Sequence, residues 1–195
     1  MAAPELEYFW SDLTSSDMLA LGLFLAVAAA PYVVAWRQET SIALATVLSL
    51  LLVTFYQMII DFGLFDFTPM AFLTLIPAIA DHPDQVHRFF TSAWLHANWI
   101  HVLGNILVIA LAGVPLEQRM GRSRWIVIYF VGLLGGNISW VLTHPESYSP
   151  ALGASGAAFG ILGAYMACWP NDRIEFPLLF FIRAWPVWGI AAFRL

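Results

Sequence analysis

The chain is divided into successive apolar stretches, each nearly free of charge and each close to the ~20 residues that an α-helix needs to cross a bilayer. They run over residues 18–36, 41–60, 99–116, 125–142 and 152–169. A sixth run opens at Ala184 and stops at Leu195. At ~1.5 Å per residue it would reach across only about half of the hydrocarbon core. The composition agrees: 61% of the residues are hydrophobic and 11% charged, against about 45–50% and about 25% in soluble domains. Lipid is therefore the main solvent of this fold, and the expected class is an all-α multi-pass membrane protein.

The run over 18–36 could be mistaken for a signal peptide, because Ala28-Ala29-Ala30 follows apolar residues. A signal needs a basic leading region, yet no basic residue precedes Arg37, and Pro31 stands where cleavage would fall. The run is read as a retained helix. The connection over 61–98 carries an apolar patch at 70–80, too short to span and suited to an interfacial or re-entrant element. The net charge is −5, all basic residues are Arg, and no basic cluster points to a nucleic-acid partner. The single Cys168 excludes an intrachain disulfide and reads as a small packed residue.

Arginine placement sets an expected orientation. The N-terminal tail holds Glu5, Glu7, Asp12 and Asp17 and no basic residue, whereas Arg37 follows the first span. Arg119, Arg122 and Arg124 crowd the turn between the third and fourth spans, and Arg173 and Arg183 follow the fifth. The turn around His144 and Glu146 has no Arg. The tail is thus expected outside and the Arg-rich turns in the cytoplasm. The all-Arg usage points to a prokaryotic plasma membrane.

Ser155 lies in Gly153-Ala154-Ser155-Gly156, followed by Gly160. Small residues four apart commonly mark helix–helix packing in membranes. The same glycines permit a tight turn at a helix start, where free N–H groups favour a developing oxyanion. Both readings are open on the motif alone. His101 and Asn105, four apart on the third span, share one helix face, and polar groups inside a span are functional candidates. His101 precedes Glu117 by sixteen residues, and Ser155 precedes Asn171 by the same number. Regular helices would put both ~24 Å above the inner boundary. A hydroxyl and two potential donors then share one layer, as acyl transfer requires.

From about Arg88 onward the chain resembles the rhomboid family of intramembrane serine proteases. The segment Arg88-Phe89-Phe90-Thr91-Ser92-Ala93-Trp94-Leu95-His96 is similar to the family's approach to its second core helix. His101-Val102-Leu103-Gly104-Asn105 matches its His-x-x-x-Asn motif, Glu117-Gln118-Arg119-Met120-Gly121 its Glu-x-x-x-Gly turn, and Gly153-Ala154-Ser155-Gly156 its nucleophile motif. The resemblance implies Ser155 as nucleophile, with His101, Asn105 and the Ser155 N–H stabilising the oxyanion. It implies a rhomboid-like helical bundle over 41–195, with core helices one to five, the last partial, and an incomplete C-terminal end. Residues 1–40 would form a tail and an extra N-terminal helix. Transmembrane segments of other proteins would be the substrates, cut near the outer leaflet, and no cofactor is implied.

The family's general base is a histidine on a sixth core helix, and this chain stops before it. His82 and His87 read as solvated loop residues, His96 as fixing the loop through hydrogen bonds, and His144 as sitting in an outer turn. No metal site is expected: His96 and His101 would stand ~140° apart on a helix, with no carboxylate or Cys beside them. Without a base the serine is a poor nucleophile, so the 195-residue chain alone is expected to be nearly inactive. The alternatives are an inactive rhomboid-like scaffold that binds membrane helices, and a small transporter or complex subunit.

Overall fold

A computed structural model describes residues 13–60, 72–174 and 185–186. It is an all-α bundle of five long helices: α1 (Ser15–Arg37), α2 (Ile42–Ile59), α3 (Trp99–Met120), α4 (Arg122–Thr143) and α5 (Ser155–Cys168). The first four are long and apolar enough to cross a membrane. With 14 residues, α5 is only ~21 Å long. That is shorter than a ~30 Å hydrocarbon core.

Local sequence explains where the helices begin and bend. Thr14 and Asp17 form a capping box that starts α1. Ser41 caps α2 and Asn98 caps α3, each accepting from a backbone N–H three residues on. Within α3 the hydrogen bonding opens into a π-helical turn at Ile109–Gly113. Pro115 stands two residues on, and its missing N–H and ring exclude the regular bond to Leu111, so the helix widens there. Gly121, at φ +82°, reverses the chain between α3 and α4.

Helix α1 packs on α2 through Ala20, Phe24, Ala28 and Val53. Two hydroxyls lock the pair: Tyr56 donates to the Ala20 carbonyl at 2.7 Å, and Ser49 to the Ala28 carbonyl at 2.7 Å. The larger core joins α2, α3, α4 and α5 around Leu50, Ile109, Leu116, Leu133 and Ile161. Between α4 and α5 the backbones touch. A Cβ on Gly132 would lie 2.8 Å from the Gly156 carbonyl oxygen, and one on Gly160 2.8 Å from the Gly132 Cα. The glycines are therefore a packing seam of the kind that membrane helices use.

Glu117 ties the Arg-rich ends of the helices together. Its carboxylate accepts from the Ser41 hydroxyl at 2.5 Å and from the Ile42 and Ala43 N–H groups at 2.8 and 2.9 Å. An anion thus caps the positive end of α2, where it satisfies amides that have no intrahelical partner. Nearby, Arg119 pairs with Asp172 at 2.5 Å and lies over the Trp169 ring. The Tyr165 hydroxyl donates to Asp172, which with Arg119 holds that carboxyl below its ordinary range.

The apolar patch at 70–80 is, as expected, no span: Phe72, Leu73, Leu75, Ile76 and Ile79 are buried, with a 3-10 turn at Pro77–Ile79. Two other expectations are modified. Cys168 is exposed rather than packed, because it ends α5 on the outward side of the bundle. Of the run opening at Ala184, the described part is Trp185–Pro186, which pairs antiparallel with Arg173–Ile174. Proline disfavours helix at the residue before it, in keeping with that extended pair. The remainder of the run lies outside the described residues, as does most of the N-terminal tail.

Replacing Glu117 by Ala is expected to cost on the order of 3 kcal/mol, and Glu117→Gln less, because an amide oxygen still accepts. Thermal unfolding in detergent checks this, and an unchanged midpoint in Glu117→Ala would refute the cap. Gly132→Val and Gly160→Val should each cost about 1–3 kcal/mol by wedging α4 from α5. Gly135, whose Cβ would meet nothing within 4 Å, is the control and should tolerate Val.

Candidate active site

The polypeptide enters α5 through a short irregular segment that the long connection grips from one side. Leu75 and Ala151 exchange both backbone hydrogen bonds, at 3.0 and 2.7 Å. The Gly153 N–H donates to the Ser92 carbonyl at 2.8 Å. The Ala154 N–H donates to His96 Nε2 in a long bond of 3.5 Å. Gly153 takes φ +109°, a conformation open to glycine and costly for other residues. Ser155 then begins the helix. In such a first turn the N–H groups have no intrahelical carbonyl to meet.

His101 and Asn105 face this turn from α3. A Cβ on Gly153 would lie 2.7 Å from both Cε1 and Nε2 of His101 and 3.5 Å from Asn105 Nδ2. Only glycine leaves room for that approach. Of the three residues singled out in the sequence, His101 and Asn105 thus stand against the backbone two residues before Ser155. Asn105 is fully buried, and Ser155 and His101 are half-buried.

Other residues shape the site less visibly. His96 is buried just before α3, and its ring meets that of His101 edge-on at 5.0 Å between centroids. Its Nδ1 lies 3.3 Å from the Trp94 carbonyl, and its Nε2 lies 3.0 Å from Asn105 Nδ2. Gln57 of α2 clasps the His96 backbone from both sides, at 3.2 and 3.4 Å. Burial pushes the His96 imidazole down to about 4, with neighbouring His101 adding to the effect. The angular argument that separated His96 from His101 fails, because the regular helix begins only after Asn98. Among the described residues, no group of three or more His, Cys, Asp or Glu could hold a metal ion.

The connection is itself braced. Arg88, fully buried, donates to Gln85 and to the Thr74 carbonyl, and burial lowers it to about 10. Thr91 donates to the Leu73 carbonyl at 2.8 Å. Asn137 of α4 donates to the Phe89 carbonyl at 2.7 Å and to Ser92 Oγ at 3.2 Å. Sequence reading passed over Asn137 and Gln57. The signal available was that of a lone amide inside an apolar span.

The remaining histidines are engaged elsewhere. His87 has its two ring nitrogens 3.0 Å from the Asp84 and Phe72 carbonyls. His144 stacks on Trp140 and sits 2.9 Å from the Thr143 hydroxyl. His82 is exposed in the connection.

Known proteins are similar to this chain over part of its length. RHOMBOID-like protein 1 of Arabidopsis thaliana is 41% identical over 86 residues, covering 44% of this chain and 22% of the relative. Rhomboid-like protease 3 of Toxoplasma gondii is 36% identical over 83 residues, 43% of this chain and 31% of its own. Rhomboid-related protein 3 of Homo sapiens is 30% identical over 105 residues, 50% of this chain and 26% of its own. The chain thus spans about a quarter of the length of such relatives. No solved structure matches it. The family model of the rhomboid domain matches residues 83–193, more than half of the sequence, with His96, His101, Asn105, Gly153 and Ser155 inside the match, so the chain belongs to the rhomboid family.

Proposed function

We propose that the chain forms the nucleophile and oxyanion side of an intramembrane serine endopeptidase that cuts transmembrane segments near the outer leaflet. The observation that carries this reading is the seating of the His101 ring and the Asn105 carboxamide against the Gly153 backbone, two residues before Ser155. In the proposed reaction Ser155 Oγ attacks the scissile carbonyl carbon and gives up its proton to a base. The carbonyl oxygen becomes an oxyanion facing His101, Asn105 and the Ser155 N–H. Collapse expels the amine, which takes the proton, and water then hydrolyses the acyl-enzyme. Each well-placed oxyanion donor contributes roughly 10²–10³ in rate.

The substrate class follows from the location. A helix in lipid has all its backbone groups satisfied, so a scissile peptide must unwind before a nucleophile reaches it. A site at the buried start of α5, below the outer boundary in the orientation read from the arginines, suits a helix unwinding at its outer end. His82, His87, His96 and His144 are engaged or placed as described above, and none serves as the base. We assign that role, from family membership alone, to a histidine of the family's sixth core helix.

A scaffold that binds membrane helices without cutting them is the second reading, favoured by the lack of a base among these four histidines. Fluorophosphonate labelling separates the two. The 195-residue chain should label and cleave at least ~10³-fold more slowly than a product whose reading frame continues into a Gly- and His-bearing helix. Ser155→Ala should abolish both in the longer product. A folded longer product that never labels would establish the scaffold reading, and Ser155-dependent cleavage by the 195-residue chain would overturn the assignment of the base.

A further inference from the structure

The two ring nitrogens of His96 face backbone groups of fixed polarity. The Trp94 carbonyl, 3.3 Å from Nδ1, can only accept. The Ala154 N–H, 3.5 Å from Nε2, can only donate. These contacts select one neutral tautomer, with the proton on Nδ1 and the lone pair on Nε2. The third contact is a side chain that could in principle turn either end to the ring. Facing a lone pair, Asn105 must present its NH2 group, and Nδ2 stands 3.0 Å from Nε2. The same Nδ2 is the Asn105 atom nearest the Gly153 turn, at 3.5 Å from where a Cβ would stand.

Resting on the protease reading above, we propose that His96, as its Nδ1–H tautomer, is a positioning residue that keeps the donor end of Asn105 turned toward the oxyanion site. Were the proton on Nε2, the ring would confront the Ala154 N–H, and the carboxamide would rotate to offer Oδ1 in place of Nδ2. A carbonyl oxygen would then stand beside the developing negative charge, so one donor would become a repulsive group. His96 thus acts through Asn105 and through the turn that carries Ser155, and it touches no substrate.

The surroundings hold this arrangement in place. Gln57 of α2 fixes the His96 backbone, so the ring cannot slide along the turn. The groups facing the imidazole from α2, α3, the approach segment and the α5 turn are Gln57, Asn105, Trp94 and Ala154, none of which is charged. Among the described residues, the titratable neighbour is His101 of α3, at 5.0 Å between ring centroids. Burial and that neighbour both oppose a second proton on the ring.

Histidine ¹⁵N spectra of the whole protein in micelles test the tautomer directly. The His96 ring should show a protonated Nδ1 and an unprotonated Nε2 at pH 7, unchanged down to pH 5. A proton on Nε2, or a cationic ring at pH 6, would overturn the proposal. In protein that labels at Ser155, His96→Leu should lower kcat by ~10²-fold with KM nearly unchanged, and His96→Gln, whose Oε1 can still accept, should recover most of the loss. A His96→Leu variant within threefold of wild type, or a folded His96→Gln no better than His96→Leu, would also sink it. Should wild type fail to label, the protease reading fails, while the ring spectra still decide the tautomer.

Discussion

A peptide N–H or C=O inside a bilayer has no water to turn to, and irregular backbone at that depth persists only against protein or in a watered cavity. This constraint governs the structure. Helix α5 is too short to cross the core by itself, and the segment before it, over 151–154, is non-helical chain. Its backbone groups are met by Leu75, Ser92 and His96, all contributed by the long connection. That connection is therefore the partner that lets this non-helical chain lead into α5. Its own bracing by Arg88, Thr91 and Asn137 follows from the same need.

The helices were legible because lipid imposes a length and a composition that a sequence displays openly. Counting rise along the helices also brought His101 and Asn105 toward the start of α5, where the structure sets both against Gly153. What counting missed depends on contacts between residues far apart in the chain. His96 meets Ala154 across 58 positions, and Glu117 meets Ile42 across 75. Neither pair leaves a periodic trace. The reading of His96 as a loop-fixing residue reached the right chemistry, but it placed the ring on a helix that starts only after Asn98. Cys168 was misread for a similar reason: an apolar neighbourhood in sequence does not say which side of the helix meets a neighbour.

The glycines of the motif serve two different structural ends. Gly156 and Gly160 let α5 approach α4 until backbone meets backbone, which fixes the height and rotation of the helix that carries Ser155. Gly153 serves a different purpose. Its positive φ turns the chain into the helix, and its missing side chain admits His101. A side chain at 156 or 160 would displace the whole helix, whereas one at 153 would leave the helix in place and push the imidazole away.

The cost of such a site lies in burying polar groups where no solvent can repair an error. Asn105, His96, Gln57 and Ser92 are all buried, and each is useful only if its partner presents the complementary end. A low dielectric raises the value of every correct hydrogen bond and the penalty of every wrong one. Fixed backbone polarity removes the ambiguity here: a carbonyl at Trp94 and an N–H at Ala154 select the tautomer of His96, and His96 selects the orientation of Asn105. Two backbone groups that no substitution can invert thus set the polarity of a side chain that could otherwise face either way.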